Sequence, residues 1–167
     1  IPLQGKVTEG KGWVLRNSKG QYTLTLDGLK AGSLERKTPA LEIQGDLTLV
    51  LKKGTESELL SADAALKKGA GILTIRGEGS LRLQGETALE GEWKEETLNQ
   101  DEPSALRIEG GKLVFTGEET ALYEYTVELA GGEIQIQCLN GKGTGIRAHT
   151  LDDRHFSGSL EMEESEE

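Results

Sequence analysis

Apolar and polar residues alternate over short stretches of this chain, and glycine-containing corners join the stretches. In Ala105–Phe115 the sequence ALRIEGGKLVF places Leu106 and Ile108 before the corner, and Leu113 and Phe115 after it. A period of two is typical of β-strands, whereas a helix would repeat its apolar positions about every 3.6 residues. Glycine permits a positive φ and therefore a sharp change of direction. The pattern predicts two strands joined by a tight turn.

The same phrase recurs at 40–51, 72–83 and 126–137. The apolar pair before the corner returns after 32, 33 and 21 residues, as Leu41/Ile43, Leu73/Ile75, Leu106/Ile108 and Val127/Leu129. The pair after the corner returns after 34, 32 and 21 residues, as Leu47/Leu49, Leu81/Leu83, Leu113/Phe115 and Ile134/Ile136. Two strand sets that advance together are typical of a solenoid. We predict a short right-handed single-stranded parallel β-helix, with an antiparallel β-sandwich or roll as the alternative.

The organisation along the chain is interpreted as one domain covering 1–167. Residues 1–26 are predicted to form an N-terminal hairpin cap, because Asn17–Gly20 is a turn signal between two alternating stretches. The coils are expected over 27–162. The remaining segment, 163–167, is acidic and without periodicity, so we expect it to fray.

Two long intervals between repeats are interpreted as inserts. They are Gly54–Gly71 and Gln84–Ser104, which are rich in Glu, Lys, Ser and Gly. The first contains Glu56–Lys68, a piece that suits a short surface helix and a plain loop equally well. If the coils stack, outward side chains form columns, predicted as Glu42, Thr74, Arg107, Glu128 and as Thr48, Arg82, Val114, Gln135. Arg107 and Glu128 would then be neighbours of opposite charge.

Composition narrows the classes of partner. The net charge is −10, which argues against nucleic acid and anionic membrane surfaces, since both attract a Lys/Arg excess. No run of about 18 apolar residues is present, so we predict no membrane insertion. The single cysteine, Cys138, shares parity with Ile134 and Ile136 and is predicted to be a buried, inert thiol. We expect a monomer, and an extracellular or cell-surface location with a signal peptide removed before Ile1.

Several stretches together resemble bacterial secreted carbohydrate-binding parallel β-helix domains, a family of unknown function with the shape of pectate lyases. They are YTLTLDGL (22–29), TPALEIQGDLTLVLKKGTESEL (38–59), GILTIRGEGSLRLQG (71–85), ALRIEGGKLVFTG (105–117) and GGEIQIQCLNGKGTGIRA (131–148). The resemblance implies a non-catalytic module that binds polysaccharide, an acidic one included, together with calcium. A structural or adhesive surface domain without a small ligand is the second hypothesis, and a polysaccharide lyase relative is the third.

Candidate sugar-binding residues are aromatic or basic. Trp93 lies in the charged stretch GEWKEE and is expected to be exposed, so that its ring could stack on a sugar. Tyr123 shares parity with Val127, which favours packing in the core or at its rim. The full candidate set is Trp93, Tyr123, Arg107 and Arg147. No catalytic residues are assigned, because the outward arginines have no Asp triad in neighbouring coils.

Candidate metal ligands occur in the only dense polar cluster, RAHTLDDRH at 147–155. Asp152 and Asp153 could bind a divalent cation such as calcium, and His149 and His155 lie close in sequence. No spacing here matches a known metal motif, and we favour a solvated loop as the alternative.

Overall fold

The computed structural model describes residues 7–92, 104–140 and 143–164. These residues form fifteen β-strands and no helix. In chain order the strands are β1 (Val7–Gly10), β2 (Trp13–Ser18), β3 (Gln21–Leu26), β4 (Lys30–Gly32), β5 (Leu41–Ile43), β6 (Leu47–Leu51), β7 (Glu56–Leu60), β8 (Ala64–Lys68), β9 (Gly71–Gly77), β10 (Ser80–Glu90), β11 (Ser104–Ile108), β12 (Lys112–Leu129), β13 (Glu133–Cys138), β14 (Thr144–Asp152) and β15 (Ser159–Glu164).

The strands stack in parallel to form a β-solenoid of about five turns. The first face contains β3, β6, β9, β11, the end of β12 and the end of β14. The second face contains β4, β7 and the first parts of β10 and β12, followed by β13 and β15. The third face contains β5, β8, the end of β10, the middle of β12 and the start of β14. The predicted parallel β-helix is confirmed, and the sandwich alternative is wrong.

Columns of aliphatic side chains fill the interior. On the second face Leu59, Leu83, Phe115 and Ile136 follow one another in register, and all are at most 1% exposed. The other two faces contribute matching columns of Leu, Ile and Val, which are also buried. Because each inward residue rests on the equivalent residue of the next coil, the core is a narrow apolar spine.

An antiparallel hairpin extends the first face at the N-terminal end, and the hairpin itself is as the sequence predicts. β2 and β3 pair from Trp13 with Leu26 to Ser18 with Gln21. Lys19 and Gly20 have φ of 53° and 80°, as a tight two-residue hairpin turn requires. β3 then continues the parallel stack by pairing with β6.

The sequence-based register is wrong in the first repeat. Leu41 and Ile43 pair with β8 on the third face, whereas Leu47 and Leu49 pair with Leu73 and Ile75 on the first face. The later repeats are in the predicted register. Each coil has three corners, and two of them have the same pattern of an apolar pair, a glycine and a second apolar pair. The repeated sequence pattern therefore identifies a corner, but it does not distinguish the corner between the third and first faces from the corner between the first and second faces.

The described parts of the predicted inserts are largely strands. Glu56–Lys68 contains β7 and β8, so it is neither helix nor loop. β10 continues through Gln84 to Glu90, and residues 93–103 of the second insert lie outside the described residues. The predicted tail is also shorter, since Glu163 and Glu164 belong to β15.

The outward columns are partly as predicted. Arg107 stands between Thr74 and Glu128, but Thr48 takes the place predicted for Glu42. Arg107 Nε lies 4.0 Å from Glu128 and 3.0 Å from Glu109, which confirms the neighbouring charges. In the other column Glu58 takes the place predicted for Thr48, next to Arg82. Both errors follow from the register error in the first repeat.

Candidate binding groove on the third face

A row of chemically diverse side chains crosses the outside of the third face. Parallel pairing aligns Glu42 with Lys67, Lys67 with Glu90, Glu90 with Tyr123, and Tyr123 with Arg147. Adjacent members are about 4.8 Å apart along the row, as neighbouring strands require. The row therefore places acidic, basic and aromatic groups at regular intervals over the length of the solenoid.

An open groove of about 690 Å³ runs along this row. We call it the third-face groove and define it by its lining residues, which include Asp63, Lys67, Glu86, Glu90, Glu92, Thr120, Tyr123 and Arg147. The carboxylates among these residues outnumber the exposed basic groups by four to two. The lining combines hydrogen-bond acceptors and donors with one aromatic ring.

Tyr123 and Arg147 form the part of this groove best suited to a flat ligand. The Arg147 guanidinium carbon lies 5.7 Å from the centroid of the Tyr123 ring, within cation–π range. Tyr123 is half-buried and points outward, while its neighbours Leu122 and Glu124 are buried. The parity argument for Tyr123 is therefore wrong. The alternation changes phase at Tyr125 and Thr126, where β12 turns from the third face to the first.

A buried ion pair lies at the corner beside the groove. Lys68 Nζ and Glu124 Oε2 are 2.9 Å apart, and both side chains are fully buried. Lys68 also donates hydrogen bonds to the carbonyl oxygens of Gly69 and Gly71 and to Ser104 Oγ, at 2.8 to 3.0 Å. These contacts fix the lysine in place.

Glu124 completes this network through its other oxygen. Glu124 Oε1 accepts hydrogen bonds from Ser104 Oγ at 2.6 Å and from the backbone N–H of Tyr125 at 2.7 Å. Oε2 accepts no hydrogen bond of good geometry within the described residues, so its contact with Lys68 is essentially ionic. A Cβ at Gly91 would collide with this carboxylate. The network therefore holds Ser104 at this corner, and Gly91 packs directly against the Glu124 carboxylate.

The structure brings together only part of the predicted sugar-binding set. Tyr123 and Arg147 share the third-face groove, but Arg107 lies on the first face among acidic partners. Trp93 lies outside the described residues. The sequence pattern does not point to Lys67, Glu86 or Glu90, because the strands that carry them look like inserts between the repeats.

Two residues of the predicted metal cluster, Asp152 and His149, are engaged in other contacts. Arg154 donates two side-chain hydrogen bonds to Asp152, at 3.0 and 2.9 Å, and these lower the pKa of Asp152 to about 2. His149 stacks on Tyr125, with ring centroids 4.7 Å apart. The described residues contain no group of three or more His, Cys, Asp or Glu that could hold a metal ion. Calcium binding at Asp152 and Asp153 stays a prediction.

Cys138 is buried and unpaired, as predicted.

Comparison of the chain with protein-family models, with curated proteins and with solved structures finds no match. No helix capable of crossing a membrane occurs in residues 7–92, 104–140 and 143–164. The site must therefore be interpreted from its own geometry.

Proposed function

We propose that the protein is a non-catalytic extracellular or cell-surface module that binds a polysaccharide along the third-face groove. The observation that supports this most is the pairing of Tyr123 with Arg147 inside an open, polar groove. An aromatic face suits the C–H face of a sugar ring, and the surrounding carboxylates suit its hydroxyl groups as hydrogen-bond acceptors. An elongated row that repeats about every 4.8 Å also suits a repeating chain better than a small compact ligand.

The charge of the groove favours a neutral polysaccharide over an acidic one. Asp63, Glu86, Glu90 and Glu92 line it, against Lys67 and Arg147 as the exposed basic groups. A polyuronate would bring its own carboxylates close to these residues. Because both sets of carboxylates would lose part of their hydration on binding, their repulsion would weaken the complex. We therefore place neutral plant and microbial polysaccharides first, and acidic chains with calcium second.

Single substitutions test whether the polysaccharide binds in the third-face groove or on the first face. We expect Tyr123→Ala to weaken polysaccharide binding about tenfold, which is the loss of about 1.4 kcal/mol of stacking. Arg147→Ala should also weaken binding, because it removes the group that contacts the Tyr123 ring. Arg107→Ala is the matched control on the first face and should leave affinity unchanged. Trp93→Ala tests the remaining candidate from the sequence.

The measurement is a glycan array with and without calcium, followed by titration calorimetry on the best ligand. Calcium-dependent binding of acidic chains would favour the second ligand class. No binding to any glycan, or equal affinity of wild-type protein and Tyr123→Ala, would contradict the groove as the site. Release of unsaturated uronates would instead support the lyase alternative.

A structural or adhesive domain is the second candidate function. One observation favours it specifically: at the C-terminal end of the described residues, Leu151, Leu160 and Met162 are exposed apolar side chains, and there β15 pairs with β13 alone. A negative glycan array together with partner binding at that end would support this candidate over the first.

A further inference from the structure

Lys68 and Glu124 meet across an intervening strand. The pairing of β10 with β8 and with β12, extended by one residue, puts Gly91 between the two, so their backbones are about 10 Å apart. Gly91 has no side chain, and a Cβ at this position would collide with the Glu124 carboxylate. The glycine therefore leaves the space in which Lys68 Nζ lies 2.9 Å from Glu124 Oε2. An amine and a carboxylate from different coils are thus held in contact.

These two groups are the reactants of an amide condensation. A lysine ammonium and a glutamate carboxylate together contain the atoms of one amide and one water molecule, so the reaction needs no further reactant. Hydration favours the separate ions in water, but both side chains are fully buried here, and burial disfavours charges relative to neutral products. Reactants held in the right geometry also react as if their concentration were about 10⁵–10⁸ M.

The contacts of Glu124 Oε1 suit the negative charge that develops on this oxygen during such a reaction. The backbone N–H of Tyr125 donates to Oε1 at 2.7 Å, and Ser104 Oγ donates at 2.6 Å. Two donors at these distances stabilise the tetrahedral intermediate of acyl transfer. Oε2 accepts no well-directed hydrogen bond within the described residues, so it is the oxygen available to take up protons and leave.

We propose that Lys68 and Glu124 condense to a side-chain amide after the chain folds. One proton passes from Nζ to Oε2, and the neutral amine then attacks Cδ of Glu124. The new C–N bond forms while Oε1 carries the negative charge. Oε2 takes a second proton from the nitrogen, the Cδ–Oε2 bond breaks, and Oε1 returns to a carbonyl.

The water that is released has a short way out. Gly69 and Gly91 flank the pair and also line the third-face groove. The amide carbonyl keeps the two hydrogen bonds of Oε1, and no charge remains buried. The ion pair is thus the folded precursor of a covalent cross-link between two coils. This inference is independent of polysaccharide binding.

Mass spectrometry of the intact protein tests the proposal. The wild-type protein should have a mass lower than that calculated from its sequence by the mass of one water molecule. Trypsin should no longer cleave after Lys68, and the digest should contain a branched peptide in which residues 68 and 124 are joined. A wild-type protein that keeps its full calculated mass after prolonged incubation in the folded state would overturn the proposal.

Substitutions locate the lost water. Glu124→Ala and Lys68→Met should each have the full calculated mass, whereas Lys67→Met, at the exposed neighbouring lysine, should still lose one water. Loss of water from Glu124→Ala, or a branched peptide joined at another pair of residues, would overturn the proposal. The wild-type measurement decides even if a variant fails to fold.

Ser104→Ala tests the reaction itself, because this variant keeps both reactants. Followed from the start of cell-free synthesis, it should form the cross-link about a hundredfold more slowly than the wild-type protein. Equal rates would contradict stabilisation of Oε1 by the Ser104 hydroxyl, on which the proposed reaction rests.

Discussion

Replacing Glu124 with alanine is expected to lower the free energy of unfolding by about 3 to 5 kcal/mol. The substitution leaves the Lys68 ammonium fully buried without its counterion, and it removes the acceptor for Ser104 Oγ and the Tyr125 N–H. A charge in a dry interior is strongly unfavourable unless it is paired. Urea denaturation monitored by circular dichroism measures the loss as a lower midpoint.

A double substitution distinguishes pairing from simple packing damage. Lys68→Met combined with Glu124→Gln removes both charges, and the carbonyl oxygen of the introduced glutamine side chain would still accept from Ser104 and Tyr125. We expect this variant to be more stable than the sum of the two single losses predicts, by about 1 to 3 kcal/mol. Lys67→Met is the matched control, since Lys67 is exposed, and should change stability by less than about 0.5 kcal/mol. Additive losses would contradict a paired network.

Phe115→Ala is expected to cost about 3 to 5 kcal/mol. Phe115 is fully buried at the centre of the second-face column, with Leu83 on one side and Ile136 on the other. Truncation leaves a cavity that the stacked coils cannot close without shifting their register. Phe115→Leu should cost less, because leucine restores an aliphatic side chain like those of its neighbours.

The neighbouring residue supplies the control for Phe115. Val114 lies one position earlier on β12 and faces the outside, between Arg82 and Gln135. We expect Val114→Ala to cost about 1 kcal/mol or less, mostly through strand preference. Equal losses for the two positions would contradict the assigned inward and outward faces. The same urea denaturation measures both.

The sequence is sufficient to predict the strands and their stacking wherever alternation is uninterrupted. Leu106 and Ile108 align with Val127 and Leu129 as predicted, because a period of two within one face is set by the pleat itself. The pattern does not determine which two faces of the coil a given corner joins. An apolar pair followed by glycine occurs at more than one corner of a coil, so the repeat assigns 40–51 to the wrong two faces.

Most of the candidate groove could not be predicted from the sequence, because the repeat pattern assigns the strands of the third face incorrectly. Lys68 follows Ala64 and Leu66 at a spacing of two, and this parity could have indicated an inward lysine that needs a buried partner. The interpretation of Gly54–Gly71 as an insert conceals that signal. Tyr123 shows a second limit, since one extra residue at a corner reverses parity and its outward position cannot be derived from Val127. Arg147 faces outward as predicted, because it lies on a regular strand, and its role in sugar binding stays a prediction.

A distance measurement between spin labels tests the parallel stack most directly. Glu58, Arg82, Val114, Gln135 and Glu161 occupy successive strands in one register. Labels at 58 and 161, in a Cys138→Ala background, should show backbone separations of about 19 Å, and labels at 58 and 135 about 14 Å. Pulsed electron–electron double resonance should therefore give two distributions of label-to-label distance whose centres differ by about one strand spacing. Equal distances for the two pairs, or a shorter one for 58 and 161, would contradict the stack.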